Sequence, residues 1–105
     1  MSRPFKSIRV GPYDIPVIPL TGDDKDKNLG MFYRTDMAIG LQDKYVSDQR
    51  EAEIALHETL HAVFEVYGVR PKDSEERIVG QMSLGLAQIV RDNPKFINWL
   101  RTKLK

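Results

Sequence analysis

The sequence contains no cysteine and only two histidines. Without cysteine there is no disulfide, no thiolate metal site and no thiol nucleophile. No run of about 20 apolar residues occurs either, so no membrane-spanning helix is expected. The N-terminal stretch MSRPFKSIRVGPYDIPVIPL has no continuous apolar segment of signal-peptide length, and Pro16 and Pro19 interrupt what apolar character it has. An excess of charge of one sign is also missing. Sixteen basic and fifteen acidic side chains leave a net charge of +1, which gives no reason to expect nucleic acid or an anionic membrane as partner. A soluble, cytoplasmic protein is the expectation.

What is present fits one domain. A length of 105 residues with 41% hydrophobic content matches a single modest core over 1–105. The pattern divides near Tyr45. Residues 1–46 read as a sheet with loops: KSIRV alternates, GPYD signals a turn, and IPVIPL is β-rich with prolines that suit an edge or irregular strand. TGDDKDKNLG reads as a polar loop. MFYR and MAIGL flank Thr35-Asp36 as a short hairpin, although this pair is not a favoured two-residue turn. Residues 47–105 read as three helices. The first is capped at Ser47 or Asp48 and stopped by Gly68 and Pro71. The second starts near Asp73-Ser74, with apolar positions Ile78, Val79, Met82, Leu86, Ile89 and Val90. The third takes Asn93 as N-cap and Pro94 as its first residue. The expected class is α+β, a small, mostly antiparallel sheet of three to four strands followed by three helices.

Both histidines fall in one stretch, ALHETLHAVFEVYGV, as His57-Glu58-x-x-His61. Residues four apart share a helix face, so two imidazoles can aim at one point and bind a zinc ion. Glu58 is rotated about 100° from His57, from the repeat of 3.6 residues per turn, and from there it can reach a water without becoming a ligand. The zinc lowers the pKa of that water, and the carboxylate takes its proton as it attacks a carbonyl. A lone histidine on a helix face is often only a hydrogen-bonded side chain; here the motif holds every histidine of the chain, among small and apolar neighbours.

A catalytic zinc takes three protein ligands and keeps an open position. With no third histidine and no cysteine, the third must be a carboxylate. The longer metzincin pattern fails, since Phe64 and Tyr67 stand where it requires glycine and histidine. Glu65 continues the His57–His61 row but lies about 12 Å from His57 along the axis at 1.5 Å per residue. Asp73, Glu75 and Glu76 open the second helix, where acids also suit the helix dipole. Glu75 and Glu76 can both face the first helix, and periodicity does not choose between them.

IALHETLHAVFEVYGV followed by SEERIVGQMSLGLAQIVRDNPKFINWL resembles the small HExxH metallopeptidase-like proteins of bacteriophages and prophages, minimal zincins of the gluzincin type. The resemblance runs from about Ile54 to Leu100 and implies a zincin-like fold. It makes Glu76 the third ligand, with Glu75 as the alternative, and places a phage-encoded protein in the host cytoplasm. The implied function is a zinc-dependent hydrolase, a metallopeptidase acting on a peptide or protein, with His57, His61 and Glu76 on the metal and Glu58 as general base. The rival expectation is a non-catalytic, zinc-stabilised binding module on the same scaffold. By the same resemblance, GMFYR or MAIGL can receive an extended peptide by strand addition. Tyr33, Arg34 and Tyr67 each carry a donor that could stabilise an oxyanion; Tyr67 lies about 15 Å beyond His57 along the helix, which favours a core or surface role. DDKDKNLG alternates acids as a calcium loop does, but Leu29 and Thr35 occupy the glycine and glutamate positions of that motif.

Overall fold

The computed structural model describes residues 3–105. The chain forms β1 (Ser7–Val10), β2 (Tyr13–Pro19), α1 (Gly22–Lys27), β3 (Gly30–Tyr33), β4 (Ala38–Leu41), α2 (Asp48–Val66), α3 (Glu75–Asp92) and α4 (Pro94–Lys103). The α+β arrangement of a small N-terminal sheet followed by helices is as expected. The sheet is mixed: its order is β1-β2-β4-β3, with β1–β2 and β3–β4 antiparallel and β2–β4 parallel.

Three local expectations are corrected. The proline-bearing β2 is not an edge strand, because it has a neighbour on each side. Residues 13–16 pair with β1, and residues 17–19 pair with β4. Each half therefore has one partner, so a missing proline N–H need not interrupt a two-sided ladder. The polar loop contains a short helix, α1, with Asp23 and Asp24 in its first turn, Lys25 and Lys27 in its last, and no buried residue. Those charges suit the helix dipole. The hairpin between β3 and β4 turns through Arg34–Met37, with Met37 at φ 51°, rather than through a two-residue turn at Thr35-Asp36. A longer loop does not depend on the Asn-Gly type of turn residue.

The helix starts are set by hydroxyls. Ser47 Oγ accepts from the Arg50 N–H and Ser74 Oγ from the Arg77 N–H, each in extended backbone before its helix. Asn93 precedes α4 with Pro94 at the first position, but its side chain makes no cap bond. That amide reaches β1 instead. Asn93 Oδ1 accepts from the Arg9 N–H at 2.7 Å, and Asn93 Nδ2 donates to the Arg9 carbonyl. Gln88 likewise donates to the Arg9 carbonyl and accepts from the Gly11 N–H. Two side-chain amides thus occupy the outer edge of β1.

This explains why α3 does not bury the face its apolar periodicity suggests. Its buried residues are Gly85, Gln88 and Ile89, while Val79, Leu86 and Val90 are exposed. Burying Gln88 is affordable because its amide is fully engaged. The core joins both halves of the chain: Phe5, Ile8, Ile15 and Ile39 meet Ala55, Val63, Phe96 and Trp99. Phe5 packs edge-on against Phe96 and Trp99, each with centroids 5.1 Å apart. Helix α2 lies against this core through Ala52, Ile54, Ala55, Ala62 and Val63, whose small side chains bring its backbone close to the sheet. No helix among the described residues is long and apolar enough to cross a membrane.

Candidate metal centre

Helix α2 carries all three motif residues with no break in its run from Asp48 to Val66. His57 and His61 lie on its exposed side, whereas Glu58 is 6% exposed on the side that meets the sheet. The imidazole centroids are 4.9 Å apart at an interplanar angle of 74°. One ligand atom from each of His57, Glu58 and His61 lies within 4.8 Å of the others, the group of this kind among the described residues.

The surroundings of Glu58 come from β3. Gly30, the first residue of that strand, has no side chain, and a methyl group there would stand 3.0 Å from Glu58 Oε2 and 2.7 Å from Ile54 Cγ2. The close approach of α2 to the strand therefore requires glycine at this position. Burial raises the pKa of Glu58 above the ordinary carboxylate range, against the opposing effect of His57 and His61. None of the three motif side chains makes a hydrogen bond to another described residue, although structural histidines and buried carboxylates usually have such partners. The group offers a cation two imidazole nitrogens, with the Glu58 carboxyl group beside them.

Glu76 and Glu75 do not join this group. Both are exposed in the first turn of α3, and neither has an ion-pair or hydrogen-bond partner among the described residues. The other nearby acids are engaged. Glu65 accepts from Arg34 Nε at 2.7 Å, and Asp73 accepts from the Arg70 N–H at 2.7 Å and pairs with Arg77 at 3.3 Å.

The remaining candidates separate clearly. Tyr67 caps the end of α2 and donates its hydroxyl to Gln88 Oε1, a structural role. Tyr33 donates to Asp24 Oδ2 at 2.6 Å, and this bond pushes its phenol up to about 12. Asp24, once a calcium candidate, is thereby tied to the β3 strand. Of the two segments weighed for strand addition, GMFY is the edge strand and AIGL is interior. The β3 edge is unpaired among the described residues and adjoins the motif helix, whereas the β1 edge is filled by Gln88 and Asn93. A cavity of about 590 Å³ lies away from the motif against β1 and the start of α4, and its lining includes no histidine or glutamate. A smaller one, about 360 Å³, is bordered by His61. Gly30 and Arg70, which shape the surroundings of the motif, belong to no pattern visible in the sequence. No protein-family model matches this chain, and no curated protein or solved structure matches it.

Proposed function

We propose that this chain is a zinc-dependent hydrolase, a peptidase in which His57 and His61 hold the metal and Glu58 is the general base. One observation carries the reading: His57 and His61 stand exposed on one side of α2 with the nearly buried Glu58 beside them, and a ligand atom from each of the three lies within 4.8 Å of the others. A carboxyl whose proton affinity is raised by burial, beside two candidate metal ligands, is the kind of group that functional sites use. As third ligand we assign Glu76, with Glu75 as the alternative, on the resemblance; both lie in the first turn of α3, without an ion-pair or hydrogen-bond partner among the described residues.

The residues act as follows. His57 and His61 present lone pairs from one face of a rigid helix, so their spacing is set before any ligand arrives. Zinc, when bound, supplies Lewis-acid polarisation of a carbonyl and acidifies water. Glu58, its proton affinity raised by burial, accepts the proton of the attacking water and passes it to the leaving amine. The open edge of β3 holds an extended peptide by backbone pairing, and Gly30 brings that strand into contact with Glu58.

The test is metal content by mass spectrometry on the untagged protein and on Glu76→Ala, with hydrolysis of a peptide library by the wild type and Glu58→Gln. We expect stoichiometric zinc in the wild type and weakened zinc in Glu76→Ala. Glu58→Gln should retain zinc and lose at least about a hundredfold in turnover, the usual contribution of a general base. No zinc after supplementation would end the proposal, and full turnover by Glu58→Gln would remove that residue from the mechanism. The second reading is a non-catalytic module stabilised by zinc; zinc binding without hydrolysis of any library member would select it.

A further inference from the structure

The cavity beside His61 lies between the end of β3, the β3–β4 loop and the segment that follows α2. Phe32, Phe64 and Val69 contribute apolar residues to its lining, and Arg34 and Arg70 contribute two cationic ones. The charges do not cancel. Arg34 is matched by Glu65, which it meets at 2.7 Å. Arg70 is not matched by any described residue. Asp73, the acid nearest to it in sequence, accepts from the backbone N–H of Arg70 and pairs with the side chain of Arg77. Arg70 thus lines a cavity of about 360 Å³ with no acidic partner for its guanidinium among the described residues.

A planar cation beside apolar walls suits a carboxylate on a short hydrocarbon stem: the stem covers Phe32, Phe64 and Val69, and the fork of N–H groups receives both oxygens. We infer that this cavity is a carboxylate subsite, and that the peptides acted on present an acidic group next to the bond at His61, either an acidic side chain or a free chain end. The assignment rests on the hydrolase reading for its meaning, but the pocket is testable without turnover.

The probes are two acids with neutral partners of the same shape: acetyl-phenylalanine with acetyl-phenylalanine amide, and acetyl-glutamate α-amide with acetyl-glutamine α-amide. Each is titrated into the isotope-labelled full chain while the amide resonances of Gly68, Val69 and Arg70 are followed. We expect at least one acid to bind about tenfold tighter than its neutral partner, the scale of a charge-assisted hydrogen bond. Which acid shows the preference tells chain end from side chain. The exposed substitution Arg70→Gln should abolish the preference and leave zinc content unchanged. Equal affinity of acid and amide, no binding of any probe, or a preference that survives Arg70→Gln overturns the subsite. Zinc binding and hydrolysis without acid preference would sink this inference alone. Acid preference in a protein that binds no zinc would sink the hydrolase reading and leave a carboxylate pocket.

Discussion

Glu58 and Tyr33 show how differently two side chains near one strand can titrate. Burial pushes Glu58 up, against the opposing effect of His57 and His61. Tyr33 is pushed up to about 12 chiefly by its hydrogen bond to Asp24, with no catalytic consequence. The sign is clear: the folded phenol holds its proton more tightly than the unfolded one. The stability contributed by this contact is fully present below pH 10 and lost as pH rises through about 12. Ultraviolet titration of the phenolates should find a tyrosine ionising near that upper value. Asp24→Asn should return it toward 10, the ordinary tyrosine value; an unchanged titration would separate Tyr33 from Asp24. At this scale the motif was readable because His57, Glu58 and His61 sit on one helix, whose geometry is local. The place of Glu76 depends on how two helices cross, and no local pattern encodes that.

The elements were readable where burial follows apolar periodicity and unreadable where it follows hydrogen bonding. Helix α2 buries Ile54, Ala55, Ala62 and Val63 as an amphipathic helix should. Helix α3 turns Gln88 inward because its amide completes β1, and Val79 and Val90 are displaced to the surface. Helix α1 buries nothing and so leaves no period to detect. The contact of α2 with β3 depends on the absence of a side chain at Gly30. Gly30→Ala should therefore cost about 1–3 kcal/mol in denaturant unfolding, the range for overpacking. It should also lower turnover with zinc content unchanged, since the displaced group is Glu58 and not a histidine. Normal stability and turnover in this variant would show that the strand does not position the base.

For the whole molecule, the core and the motif are separate. Both histidines lie on the exposed side of α2, while its other side packs on the hydrophobic cluster that holds Phe5, Phe96 and Trp99. The metal-free protein should accordingly fold, with zinc adding stability by mass action. At a hundredfold excess over the dissociation constant that is about 2.7 kcal/mol, or about 10 °C in a domain of this size. Differential scanning fluorimetry with and without chelator checks it, and His61→Ala should remove the zinc-dependent shift. Global unfolding on chelation would instead point to the zinc-stabilised module. The two ends of the sheet carry a consequence of their own. At one end, Gln88 and Asn93 fill the backbone of β1; at the other, β3 has no further strand beside it among the described residues. Two copies that met through β3 would present only filled ends outward, so strand-by-strand growth would stop at a closed pair. The chain can keep one adhesive edge without the hazard of becoming a fibre.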